Sequence, residues 1–416
     1  MQNHAQTLDP TRVRLWNKYF LMLMIIGFFS SLCNQFFNPT LPLHVKDLGG
    51  TETVVGLLGT SFTLGSAVFR VIGGKSCDKR GRMRTALIGL VIFTVASALF
   101  LVVENIYGIL LLRVLQGTGF GLSSTSITAS VADILPNDRL ASGIGYYGLN
   151  NSLSQTIGPS CAVGLYYTDW GFPAVAAVAT CSLALSALLT LPCRFERDEP
   201  FLAAIAATRP QTQDDKPDDT VYTGIWRYFE KSAIPCGAVM LFACLASGVI
   251  TGFAVLYAKA EAIAVENAGL FFTLSAIGVV VSRLGTGKIM KKYGTLAALL
   301  ISFVCSIAGF ALLIAARRVH VLFFISGAFN GLATGLYHPA LNTEAMYRAP
   351  ASRRGAASAT FQVPTELGFA LSSLIAGIII QHAGYTANWA VCIAYNIVGI
   401  ALSLLFFRKK ANPAQT

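Results

Sequence analysis

The chain has 416 residues, of which 54% are hydrophobic and 12% charged, with a formal net charge of +11 and a mean hydropathy of +0.61. Soluble domains carry about 25% charged residues, so these proportions exclude a disordered chain, a disulfide scaffold and an ordinary cytosolic enzyme. The class that remains is a polytopic membrane protein, whose spanning helices require apolar runs of about 20 residues.

Such runs fall near 16–38, 52–73, 85–103, 107–130, 141–166 and 171–192, and again near 232–257, 267–289, 296–315, 320–343, 356–381 and 386–407. A spanning helix satisfies its own backbone groups in hydrocarbon, and the ten-residue alternation of a β-barrel is not seen. The first run follows basic Arg12, Arg14 and Lys18, has no small-residue cleavage site and precedes eleven others. A retained helix is expected there, not a signal peptide. The fold class is therefore all-α: twelve transmembrane helices in two pseudo-symmetric six-helix bundles. The expected domains are 1–192, a linker at 193–231 and 232–416.

Positive charge follows this topology. With the N-terminus cytoplasmic, 24 Lys and Arg fall on that side and four (Lys46, Lys259, Arg317, Arg318) on the other; Arg70, Arg113 and Arg283 lie within spans. This is the positive-inside bias of an inserted protein. It places both termini in the cytoplasm and gives no sign of a nucleic-acid partner. The nine cysteines lack CxxC spacing and the five histidines are scattered, so no metal site and no cofactor are expected.

Span one carries Asn34, Gln35 and Asn38 ahead of Pro39. The loop after span two reads Gly74-Lys75-Ser76-Cys77-Asp78-Lys79-Arg80-Gly81-Arg82-Met83-Arg84. Span four contains Arg113-Val114-Leu115-Gln116-Gly117-Thr118-Gly119 and ends at Asp133. An intramembrane Arg costs at least ~2.5 kcal/mol unless solvated or paired, so Arg113 is either a coupling residue or one that snorkels to the nearby interface. Span five offers Asn150, Asn151 and Gln155 before Gly158-Pro159, where proline removes a backbone hydrogen bond and bends the helix. The linker is rich in Asp, Glu, Arg and Pro; its residues 222–231, YTGIWRYFEK, form either a solvated connection or a short amphipathic helix on the membrane face.

Span ten places Asn330, Thr334, His338 and Asn342 at i, i+4, i+8 and i+12, with Tyr337 alongside. A polar stripe in lipid is costly, so it should meet a watery chamber or another helix. Glu366, in span eleven two residues after Pro364, lies about 15 Å deep at 1.5 Å per residue. A carboxylate at that depth is a candidate proton carrier, and His338 is a candidate to share its protons.

The halves repeat. Sliding the chain by 213 residues aligns 56–81 with 269–294 and gives ten identities, including Gly56/Gly269, Thr60/Thr273, Gly65/Gly278, Arg70/Arg283 and Gly81/Gly294. Parallel six-helix repeats around a midplane site are a transporter design.

The loop at 74–84 resembles the G-x-x-x-D-[RK]-x-G-[RK] signature of the major facilitator superfamily, with Ser76 where an apolar residue is usual. By that resemblance Gly74, Asp78, Gly81, Arg82 and Asp133 form a gating latch. The segment from Arg113 through Gln116 to Gly119 is similar to the R-x-x-Q-G-x-G stretch of proton-coupled members, and span five resembles the antiporter motif of drug/proton exporters. In that motif Ser154 replaces a Gly, and Ala162-Val163 a Gly pair. Leu41–Gly50 and Arg353–Ala357 leading into Glu366-Leu367-Gly368 resemble a bacterial efflux branch that includes exporters of sugars, drugs and opine-type metallophores.

The resemblance implies a proton antiporter that exports a small polar molecule from the inner membrane, working as a monomer on the proton gradient, with no cofactor. Glu366, His338 and Arg113 are the candidate proton-coupling residues. Asn34, Gln35, Asn38, Gln116, Asn150, Asn151, Gln155, Asn330, Thr334, Tyr337 and Asn342 are the candidate cavity residues. Proton-coupled uptake is the alternative in the same class. A membrane-embedded enzyme is the alternative from another, and it would need a catalytic cluster that the sequence does not show.

Overall fold

A computed structural model describes residues 15–136, 139–207, 229–263, 267–350 and 353–407. The helices run α1 (Lys18–Asp47), α2 (Glu52–Arg80), α3 (Arg82–Leu99), α4 (Ile106–Asp133), α5 (Leu140–Tyr166), α6 (Gly171–Thr190), α7 (Glu199–Ala207), α8 (Ile234–Ala260), α9 (Gly269–Ala315), α10 (Val321–Arg348) and α11 (Arg354–Phe407). In α9 and α11 two helices are joined across one non-helical residue, Gly294 (φ 81, ψ 171) and Gly384 (φ 80, ψ 173). Each therefore contains two spans, 269–293 with 295–315 and 354–383 with 385–407. The twelve expected spans are all present. Of the expected helix at 222–231, residues 222–228 lie outside the described residues. The linker instead begins with the short apolar α7, which hydropathy alone did not separate from span six.

Six described residues have positive φ: Gly49, Gly81, Gly171, Ala262, Gly294 and Gly384. They form three pairs, Gly49/Ala262, Gly81/Gly294 and Gly171/Gly384, each separated by the same 213 residues that align the sequence repeat. At Gly81 (φ 89, ψ 152) and Gly294 the backbone occupies a region open essentially to glycine alone. Helix can therefore reverse into helix there without a connecting loop. The duplication is thus written in backbone geometry over most of the chain, beyond the 26 residues of clear identity.

The chain forms two compact units. The first comprises Met1–Phe37, Leu64–Gly158 and Pro173–Pro217. Within it α1 is held through its own carbonyls. Asn150 Nδ2 donates to Met24 O (2.8 Å), Ser154 Oγ to Phe28 O (3.2 Å) and Ser186 Oγ to Ile26 O (2.9 Å). Side-chain bonds of this kind bind helices where apolar contact gives no advantage over lipid. At α3 and α4, Gly89 and Gly119 face each other so closely that a Cβ on either would stand within 2.8 Å of the other's carbonyl oxygen.

The second unit comprises Asn38–Thr63, Pro159–Phe172 and Asp218–Thr416. Its buried Trp389 packs with Tyr257, Phe310 and Tyr385. The Tyr257 hydroxyl donates to Leu313 O at 2.7 Å, so this aromatic body stays hydrogen-bonded where it is polar.

Candidate translocation site

In the first unit α4 directs Arg113 inward. The side chain is 3% exposed and its Nη1 donates to Gln116 Oε1 at 3.0 Å. Gln116, fully buried, passes a bond on to Ser97 Oγ of α3 at 2.8 Å, and Ser97 contacts Cys33 Sγ of α1 at 3.8 Å. Arg113 therefore lies within a polar network between α1, α3 and α4, and does not extend to the surface. The i, i+3 spacing that made Arg113 and Gln116 conspicuous is what lets them meet.

The other first-unit residues divide. Asn34 is half-buried, and its Oδ1 is buried without a hydrogen-bond partner among the described residues. Gln35 lies against Gly158 of α5. Asn150 is tied to α1, Gln155 is exposed on α5, and the side chain of Asn151 lies outside those described.

At the joint after α2, Arg82 pairs with Asp133 through both Nε and Nη2, as the resemblance implied. The side chain of Asp78 is not among those described, and Gly74 has open space where a Cβ would stand. Sequence reasoning missed Glu196. Its carboxylate accepts from the backbone N–H of Arg82 (2.5 Å) and of Met83 (3.4 Å), capping the positive end of α3. Asp198, two residues on, accepts from the Tyr19 hydroxyl at 2.6 Å and pairs with Lys18 at 3.5 Å. The Tyr19 hydrogen bond is the main reason that the Asp198 carboxyl stays below the usual range; burial opposes it, and the Phe201 N–H and Lys18 assist.

In the second unit α10 presents its stripe to two kinds of partner. Asn330 is buried beside Gly309 and donates to Ser326 O at 3.0 Å; Thr334 donates to Asn330 O at 2.9 Å. Tyr337 is buried, with its hydroxyl 2.8 Å from Ser247 Oγ of α8. His338 is half-buried and meets the Phe361 ring of α11 edge-on at 5.7 Å, while Asn342 is exposed. Asn38, on α1, is half-buried.

Glu366 is half-buried on α11. Residues 366, 370, 373 and 377 share one helical face. Three of them touch α2: Ala370 through its carbonyl to Thr60 (2.8 Å), Ser373 against Gly56, and Gly377 against Glu52. Glu366 continues that ridge by one turn. At the foot of α11, Arg353 donates to Glu230 Oε2 (2.6 Å) and to Phe229 O (2.8 Å), while the Glu230 N–H donates to Thr360 Oγ1 (2.7 Å). Burial pushes the Glu230 carboxyl up, but the Ser232 N–H and the Arg353 guanidinium together hold it below the usual carboxylate range.

Twelve spans, two repeats and polar residues placed inside them define a multi-pass transporter of the cell membrane. The chain belongs to the Major Facilitator Superfamily, whose model matches residues 23–317 and 236–416. It is 25% identical over 404 residues to the staphylopine export protein of Staphylococcus aureus (strain Mu50), covering 96% of this chain and 97% of that one. It is also 25% identical over 384 residues to the quinolone resistance protein NorA of the same species, covering 91% and 93%. Among solved structures, the D-xylose–proton symporter superposes with a TM-score of 0.72 at 16% identity, covering 94% of this chain and 96% of that one. The nucleoside transporter NupG gives 0.68 at 16%, covering 94% and 99%. These likenesses establish the fold.

Proposed function

We propose that this transporter exports a small polar molecule in exchange for protons, with both termini in the cytoplasm. The observation that carries the reading is Glu366, an intramembrane carboxylate on the α11 ridge one turn from the surface that packs on α2. Such a group is expensive to keep ionised in a dry setting and easy to ionise in a wet one. Parting α11 from α2 changes which of these it meets, so proton binding and helix separation are linked. The name of the staphylopine relative and the resistance named for NorA support export. The amides of Asn34, Gln35 and Gln116 and the hydroxyl of Tyr337 suit a polar solute. Arg113 would hold one proton-coupling state through Gln116, and His338 would receive protons from Glu366. The Arg82–Asp133 pair would latch the first half, with no cofactor required.

Proteoliposomes with an imposed pH gradient test the reading, with staphylopine and a labelled quinolone as probes. Glu366→Gln is expected to abolish gradient-driven flux, while folding and exchange of probe without a gradient persist. Gradient-driven flux at the wild-type rate would remove Glu366 from coupling. Accumulation with the proton flow, in place of efflux against it, would make the protein an uptake carrier.

A further inference from the structure

The second compact unit holds two helix–helix seams that obey the 213-residue repeat atom group by atom group. In the first, α2 meets α11: Gly56 lies so close to the Ser373 carbonyl that a Cβ there would overlap it, and Thr60 Oγ1 donates to Ala370 O at 2.8 Å. In the second, α9 meets α5: a Cβ on Gly269 would stand 3.1 Å from the Ser160 carbonyl oxygen. Ser160 Oγ there donates to Gly269 O at 3.0 Å and lies 2.8 Å from Thr273 Oγ1. Gly56 corresponds to Gly269, Thr60 to Thr273 and Ser373 to Ser160, each by the same shift. Beside the seams, Asp47 at the end of α1 accepts from Lys259 Nζ of α8 and from the Tyr166 hydroxyl of α5, both at 2.5 Å.

We infer that Gly56–Thr60–Ser373 and Gly269–Thr273–Ser160 are twin halves of one gate. They close the face of the molecule that carries the Gly49, Gly171, Ala262 and Gly384 turns, and they part when that face opens. The inference rests on the chain's being an alternating-access transporter and goes beyond it by naming the surfaces that separate. The chemistry suits a reversible contact. Glycine lets the backbones approach without interlocking large side chains. The bonds across each seam run from half-buried hydroxyls to carbonyls, so water replaces them when the helices part. The Asp47 clasp is nearly half exposed and screened, so it adds little resistance. Selection for two equivalent seams also explains why glycine and threonine survive at these positions of both halves.

The test is a distance measurement by electron–electron resonance in nanodiscs. Spin labels go at Thr51, in the α1–α2 turn, and Arg318, in the α9–α10 turn, with exposed Cys161 and Cys181 replaced. Both labelled residues are exposed. The unsubstituted gate should give mainly the short distance. Gly56→Ala should raise the ratio of long to short distances by about tenfold, and Gly269→Ala by less, because its Cβ has more room. Thr60→Val keeps the shape, loses the bond to Ala370, and should shift the ratio in the same direction by about threefold. Distances unchanged in all three variants overturn the gate, and a response in one seam alone overturns the pairing. The readout needs no substrate, so it stands apart from the test of export: a carrier with no proton-driven flux can still show the gate, and one with normal export can still lack it.

Discussion

At the joint between its second and third spans the first half places Gly81 at φ 89, ψ 152, and the next residue, Arg82, pairs with Asp133. The matching joint in the second half places Gly294 at φ 81, ψ 171, but the next residue is Thr295. Thr295 Oγ1 donates to Glu344 Oε2 at 2.8 Å, and Glu344 pairs with Arg348 on its own helix at 2.7 Å. Backbone geometry has been kept while the latch chemistry has changed from a direct ion pair to a hydroxyl resting on an ion pair. The reason is steric. A reversal of two spans at one residue admits glycine and little else, whereas several side-chain pairs can tie the same two helix ends. The two halves therefore share their turns as a rule and their latches only in outline.

The linker sharpens the contrast, because each of its ends is tied differently. Arg353 and Glu230 have side chains only 10% and 13% exposed, whereas Lys18 opposite Asp198 is 70% exposed. Replacing Arg353 with leucine strands a buried carboxylate and should cost about 3 kcal/mol. Replacing Lys18 with alanine should cost less than about 1 kcal/mol. Thermal melting of the purified protein distinguishes them, and equal losses would show that the two ties are equivalent. The same pair gives a pH signature. Because folding lowers the Glu230 pKa, its stabilising contribution is fully present above the ordinary glutamate value of 4.5 and is lost as pH falls through the lowered one. In Arg353→Leu the acid limb of the melting curve should flatten.

The glycine joints come next in size. Alanine in this backbone region costs about 1–3 kcal/mol. A Cβ on Gly81 would also stand 3.2 Å from the Glu196 carboxylate, while Gly294 has nothing within 4 Å. Gly81→Ala should thus lie at the upper end and Gly294→Ala at the lower. Melting of the two variants side by side checks the order, and the reverse order would show that Glu196 yields without cost.

These contrasts also mark what could be read in advance. The spans, the register of the repeat and the depth of Glu366 follow from local hydropathy and spacing, so they were legible. The Arg82–Asp133 pair was legible only through a family signature. Glu196 was not, because a carboxylate in a charged linker gives no sign that it caps a helix more than a hundred residues earlier. Nor can composition separate an amide facing a chamber from one that donates to a carbonyl; Asn150 and Asn330 have the second kind of bond. The Ser247–Tyr337 contact joins two helices whose relative rotation no periodicity fixes.

The smallest effect tests the shared turns most directly. Gly49 (φ 84) and Ala262 (φ 53) occupy equivalent turns, and only the second pays for a side chain in the left-handed region. That cost is about 1 kcal/mol for alanine, offset in part by the greater freedom that glycine loses on folding. Ala262→Gly should therefore stabilise the protein by about 0.5–1 kcal/mol. Gly49→Ala, with nothing within 4 Å of the new Cβ, should destabilise it by a similar amount for backbone reasons alone. Opposite shifts of similar size in thermal melting would show that the turn, and not its surroundings, has been held constant between the halves. If Ala262→Gly lowered the melting temperature, the alanine methyl would be contributing a contact that the first half does without.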